Sequence, residues 1–147
     1  MLKVLIQVAA GSCEKKIYNE KTLEYKGTRR ISQPYPYPYG FILETNAGDG
    51  DNLDCYLITR EKLQTGAIVA CEPVGLLEQH EDDEIDHKIL AVLPGQVFAM
   101  DENLLKELQY FIYAVFTQYP HIKIQVGPLL SREAALEHIQ ECHETKI

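Results

Sequence analysis

Apolar residues fall in short runs through the first two thirds of the chain and recur at helical spacing through the last third, with the change of period near Asp101. The short runs predict strands at Leu2–Val8, Lys16–Asn19, Thr22–Lys26, Tyr39–Glu44, Leu53–Thr59, Ala67–Leu77 and Lys88–Leu93. Residues of this kind, bounded by turn formers, suit a pleated and partly buried surface. Asn46–Asn52, Gln64–Gly66 and Pro94–Gly95 separate the runs and carry Gly or Pro where the chain must reverse. Strands this short and this closely spaced predict a small barrel. From the N-cap Asp101, the positions Leu104, Leu105, Leu108, Ile112, Val115 and Phe116 predict an amphipathic helix that Pro120 stops. A second helix runs from Ser131, with Glu133 in its first turn, to about His143. The expectation is an α+β chain, a small barrel followed by two helices.

Length fits that picture. The 147 residues suffice for one core and are too few for two, and the chain has no internal repeat and no dividing linker, so residues 1–147 are expected to form a single domain. Met1–Ala10 is apolar except for Lys3 and Gln7, lacks a strongly basic leader and reads as a strand rather than a signal peptide. No run approaches the length of a membrane span. A formal charge of -8 argues against a nucleic-acid partner and points to cations instead. Cys13, Cys55, Cys71 and Cys142 form no C-x-x-C pair and read as reduced thiols of a cytoplasmic protein, with Cys55 facing the core.

The densest chemistry is Gly48-Asp49-Gly50-Asp51-Asn52-Leu53-Asp54, three carboxylates within six residues and glycines on both sides of the first. Such a turn can converge several oxygens on one hard cation. A solvated polar turn is the bland alternative. A calcium loop is the other, although Arg60 stands where that loop has its distal glutamate. Glu81–Lys88 is a second acidic group, and most such runs are solvated faces. Asp86 and Lys88, two apart at a strand edge, share a face where a carboxylate and an ammonium can serve a metal and a phosphate side by side. The run Gln33–Gly40 alternates Pro and Tyr and favours polyproline II. Its tyrosines could serve an anion beside the acidic loop or a Pro-binding partner domain.

Taken together, Tyr35–Ile42, the Gly-Asp-Gly-Asp-Asn-Leu-Asp loop, Gly66–Gly75 and Asp86–Val92 resemble family I soluble inorganic pyrophosphatases in order and spacing. The likeness is close over residues 2–95 and looser beyond. It implies a five-stranded OB-like barrel with two flanking C-terminal helices, several Mg2+ ions in the active site, hydrolysis of pyrophosphate to two orthophosphates, and a homo-oligomer, commonly a hexamer in bacteria. By the same resemblance Asp49, Asp54 and Asp86 are metal ligands, joined by Glu81 or, after a one-residue shift, Asp82. Asp51 is the carboxylate that helps deprotonate the attacking water. Lys88, Tyr39 and Lys16 contact phosphate, as does an arginine at Arg29 or Arg30, while Tyr35 and Tyr119 match the family's earlier and later tyrosines. The chemistry is coherent, because cations that bridge a highly charged anion lower the barrier and acidify the attacking water.

The departures from the pattern are as specific. Gln7 stands for a glutamate of the first strand, Tyr18 for a glutamate two residues after the lysine, and Pro120 for a lysine after the late tyrosine, unless Lys123 bends back. They imply weaker substrate binding, or a shifted phosphoanhydride substrate, with the metal core intact. His138, Cys142 and His143 could form a soft metal site, but a frayed terminal helix is the expected reading. His80, His87 and His121 are expected at the surface.

Overall fold

Five strands close on themselves. The computed structural model describes residues 1–144, and in it β1 (Leu2–Val8) pairs β4 (Tyr39–Ile42), β4 pairs β5 (Asp54–Leu57), β5 pairs β8 (Lys88–Val92), β8 pairs β6 (Ile68–Glu81), and β6 returns to β1. Only β5 and β8 run parallel within this ring. This is the expected small barrel with two helices. Gly40 is required where β4 meets β1, because a Cβ there would lie 1.8 Å from the Leu5 carbonyl oxygen.

The remaining strands lie outside the ring. β2 (Glu14–Tyr18) and β3 (Tyr25–Arg30) form a separate hairpin, displaced from the expected Lys16–Asn19 and Thr22–Lys26. The turn between them is longer than strand-type residues suggest, because the Asn19 carboxamide oxygen accepts from the Lys21 and Thr22 amides and Leu23 adopts φ 65°. β6 runs past Leu77 into the acidic group and turns back at Asp82 and Asp83, φ 51° and 67°, into β7 (Glu84–Ile85). β9 (Ile124–Leu130) has no counterpart in the sequence reading. Its Gly127 and Pro128 look like turn signals, yet proline is tolerated because β9 is an edge strand that, among the described residues, pairs with β6 alone.

α1 (Glu102–Phe116) starts where Asp101 accepts from the Leu104 amide, and α2 (Arg132–Cys142) where Ser131 accepts from the Ala134 amide. α2 does not fray as expected. Cys142 is buried, and its carbonyl accepts from Asn46 at 2.6 Å. Among the described residues no helix is long and apolar enough to cross a membrane.

Strand alternation divides the core. Val4, Ile6, Cys55, Leu57, Ile89 and Ala91 pack in one cluster with Ala135 of α2. Tyr39, Tyr56, Leu90 and Val92 pack in the other with Leu104, Leu108, Phe111 and Ile112 of α1. The site grows from the second face, at the open end of the strands.

Candidate active site

The period of two in β8 and β5 decides which polar side chains meet. Lys88 shares the face of Leu90 and Val92, and Asp54 shares the face of Tyr56, so both emerge at the rim of the α1-side cluster. There the Lys88 ammonium donates to Asp54 Oδ2 at 2.7 Å, Asp86 Oδ2 at 3.1 Å and the Tyr39 hydroxyl at 3.2 Å. Burial opposes charge on Lys88, but Asp54 and Asp86 outweigh it and hold the ammonium well above the ordinary lysine range. The two carboxylates diverge. Burial would raise Asp54, yet Lys88 and Lys15 draw it below its ordinary value. Asp86 is raised, chiefly by burial, which the attraction of Lys88 does not outweigh, with Asp54 and Asp49 adding repulsion. The ammonium is thus committed to Asp54.

Around this knot lies a cleft of about 860 Å³ lined by Lys15, Arg29, Tyr35, Tyr39, Asp49, Asp54, Gln79, Glu81, Asp82, Asp86, Lys88 and Tyr119, among others. One wall is acidic and the other basic. Glu81 is raised, first by burial and then by Asp86, so the acidic wall is crowded with like charge. Tyr35, Tyr39 and Tyr56 stack in series, with centroids 5.1 and 4.9 Å apart. All three tyrosines of the Pro-Tyr run are buried, and Tyr37 donates to Glu107 at 2.5 Å on the far side. Buried rings leave nothing for a Pro-binding domain to dock, which removes that reading.

Three residues expected at the site, Lys16, Arg30 and Asp51, lie outside the lining of the cleft. Lys16 donates to Thr28 and sits over the Tyr25 ring, and Lys15 takes the place in the cleft, its ammonium 5.4 Å from the Tyr39 centroid. Register explains the exchange. Lys15 lies directly opposite Arg29 across the hairpin, whereas Lys16 faces Thr28 and Arg30 faces Glu14. Lys15 and Arg29 therefore share the cleft side, and Arg30 joins Lys16 in lying outside the lining. With Lys15 as the lysine, the position two residues on is Ile17 rather than Tyr18, and Tyr18 packs on Tyr25 and Phe41. Burial, together with the charges of Lys88 and Arg29, lowers Lys15 in spite of Asp54.

Asp51 is exposed and also outside the lining residues, on a loop pinned from both sides. Inside it, Asp49 accepts from the Asp51 amide at 2.9 Å, and Gly48 and Gly50 take φ 100° and 91°. Outside it, the Asn52 amide donates to Glu20 Oε1 at 2.8 Å, and Lys21 donates to Asn52 Oδ1 and the Thr45 carbonyl while pairing with Glu144. Burial first, then repulsion from Asp54 and Asp51, pushes Glu20 up to about 7. Composition alone carries no signal for Glu20 or Lys21. Gln7 is buried, with its amide nitrogen donating to the Lys16 carbonyl. Lys123 does not bend back toward Pro120 but pairs with Asp83. His80 and His87 are not surface residues as expected but half-buried, packed edge to face at 5.2 Å, with His138 at 5.2 Å from His87. His121 is exposed.

Among the described residues no three acidic, His or Cys side chains stand close enough together to enclose an ion as they are. The donor set nevertheless fits a hard divalent cation. Asp49, Asp54, Glu81, Asp82 and Asp86 line one cleft with oxygen alone, and the raised values of Glu81 and Asp86 mark a charge deficit that a cation would relieve. Asp82 is partly engaged, accepting from the Lys123 amide at 2.8 Å. A second cavity of about 960 Å³, lined by Tyr37, Arg60, Phe98 and Glu107, lies apart from this set.

The chain matches the family model described as inorganic pyrophosphatase over residues 4–146. It is 32% identical over 149 residues to an inorganic pyrophosphatase of Nanoarchaeum equitans, covering 95% of this chain and 93% of that one. With an inorganic pyrophosphatase of Nostoc sp. the identity is 40% over 95 residues, 63% of this chain and just over half, 56%, of the relative. The solved inorganic pyrophosphatase of Thermus thermophilus superposes with a TM-score of 0.84 at 28% identity, covering 95% of this chain and 87% of that one.

Proposed function

The chain belongs to the inorganic pyrophosphatase family, and from that premise we propose that it is a magnesium-dependent diphosphatase whose one cleft holds both metal and substrate. It hydrolyses pyrophosphate to two orthophosphates with a divalent metal. The observation that carries the residue assignment is the meeting in one cleft of an acidic wall, Asp49, Asp54, Glu81, Asp82 and Asp86 around Lys88, and a basic one, Lys15 and Arg29 of the hairpin. Neither wall alone accounts for the other.

The acidic wall would hold magnesium, which when bound draws charge from the pyrophosphate oxygens and acidifies the attacking water. Lys15 and Arg29, fixed opposite each other across the β2–β3 hairpin, donate to the outer phosphate oxygens. Lys88 and Tyr39 donate where charge develops as the bridging P–O bond breaks. Asp51, outside the lining but on the loop whose Asp49 lines the cleft, would accept the proton of the water whose oxygen bonds to phosphorus, and Tyr35 and Tyr119 bound the substrate. Pro120 offers no donor and Lys123 is turned to Asp83, so pyrophosphate is gripped less firmly while the carboxylates that would hold the metal are retained.

On this reading the chain acts as one domain in the cytoplasm and as a homo-oligomer; sedimentation equilibrium tests the assembly. Phosphate release from pyrophosphate, with and without magnesium, tests the activity. Release abolished by chelation and reduced about 100-fold or more in Asp51→Asn is expected, on the scale of a general-base contribution. Full turnover in Asp51→Asn would remove Asp51 from that role.

A further inference from the structure

Gln79 lies in the wall of the cleft, 2% exposed, and its carboxamide oxygen has no hydrogen-bond partner within the protein. It comes there through an irregularity in the ladder, since the pairing of β6 with β9 shifts register between Leu77 and Gln79. The backbone at the shift is secured from elsewhere: the Gln79 amide donates to His87 Nδ1 at 3.0 Å, and its carbonyl accepts from the Asp86 amide at 2.9 Å. Gln79 is thereby tied to Asp86 and, two residues along β6, shares a face with Glu81.

A buried carbonyl oxygen without a donor is costly, and the cost falls away only when something carrying a proton enters. Pyrophosphate oxygens are acceptors and cannot satisfy it. Water carried by a divalent cation can, because such an ion keeps several waters and binds beside carboxylates. We propose that Gln79 is a positioning residue for the metal, its carboxamide oxygen accepting a hydrogen bond from the hydration shell of a cation held at the Glu81–Asp86 corner. This rests on the magnesium reading above and extends it to a neutral side chain.

The test pairs Gln79→Met, which keeps volume and removes the acceptor, with Gln79→Glu, which keeps an acceptor. Both full-length proteins are compared with wild type by magnesium titration calorimetry and by melting in chelator. Gln79→Met is expected to melt roughly 2–8 °C higher than wild type without metal, since the orphaned oxygen is gone. It is expected to bind magnesium about tenfold more weakly, the loss typical of an outer-shell partner. Gln79→Glu is expected to bind magnesium within about threefold of wild type or tighter and to melt lower in chelator. Unchanged magnesium affinity in Gln79→Met, whatever its melting point, would overturn the proposal, as would a rise in pyrophosphate KM with no change in metal binding. If Gln79→Met does not fold, weakened magnesium binding in a folded Gln79→Glu overturns it alone. A wild-type protein that bound no magnesium would overturn the metal reading as well, whereas failure confined to the variants leaves that reading standing.

Discussion

Replacing Lys88 by methionine leaves Asp54 and Asp86 facing each other without their ammonium, while the added thioether roughly conserves volume. The pair is nearly sealed on the lysine side, whose side chain is 7% exposed, and opens toward the cleft through carboxylates 23% and 26% exposed. Breaking one partner of a buried ion pair costs about 3–5 kcal/mol, and the wetter carboxylates put this case near the lower figure, about 3 kcal/mol. For a chain of this size that is roughly 6–12 °C in melting temperature. The sign with pH follows from Asp54, whose value is lowered from 3.8. Its contribution is present above that value and lost as pH falls through the lower folded one, so the full effect stands at pH 7. Magnesium supplies the positive charge that the substitution removes, and the deficit in saturating magnesium is expected to shrink to less than half. Scanning calorimetry at pH 7 and fixed protein concentration, in chelator and in magnesium, measures both numbers. A Lys88→Met protein melting within about 2 °C of wild type in chelator, or losing the same amount in both buffers, would refute the account of Lys88 as the internal cation of an otherwise acidic wall.

The exchange of Lys16 for Lys15 is directly testable: Lys15→Met is expected to raise the pyrophosphate KM about tenfold or more, the worth of one charge-assisted contact, with Lys16→Met within about twofold of wild type. Equal effects would mean that the hairpin register does not sort the two lysines. Glu20, held at about 7 against an ordinary 4.5, binds more protons folded than unfolded between those values, so its contribution is present below pH 4.5 and fades as pH rises to 7. In chelator, Glu20→Gln is therefore expected to lose less stability than wild type from pH 4.5 to 7, by about 1–2 kcal/mol after allowing for its partial exposure; parallel urea-midpoint profiles would count against the burial of Glu20 beside Asp51 and Asp54.

How much of this could be read from the residues depended on whether a signal was local. The ring strands and both helices announced themselves because their periodicity, caps and breakers lie within a dozen residues: Asp101 and Ser131 cap where expected, and Ile89 through Val92 needed no distant information. β9 was hidden because the feature that makes Pro128 acceptable, a place at the edge of the sheet, is a property of the sheet and not of the segment. The same division runs through the site. Asp49, Asp54, Asp86 and Lys88 are spaced along single turns and strand ends, so their convergence was legible. Lys15 against Lys16 was a choice of strand parity, and an error of one residue moves a side chain to the opposite face. That parity was set by the turn at Asn19–Leu23, whose positive φ and side-chain bonds lengthen it beyond what strand-type residues suggest.

Gln79 and Glu20 were beyond local reading for a further reason, since each matters through what it faces across the fold. The tip residues Glu20 and Lys21 join the hairpin bearing Lys15 and Arg29 to the loop bearing Asp49 and Asp51, through Asn52. The hairpin is a two-stranded sheet of its own, and such an element is marginal unless something ties it down. Loosening the tip at Lys21 should therefore disturb both walls of the cleft together, whereas loosening either wall from within should disturb one. A site divided between a closed ring and a separate hairpin depends for its register on those bonds at the tip, together with the Gln7–Lys16 bond and the packing of Tyr18 on Phe41.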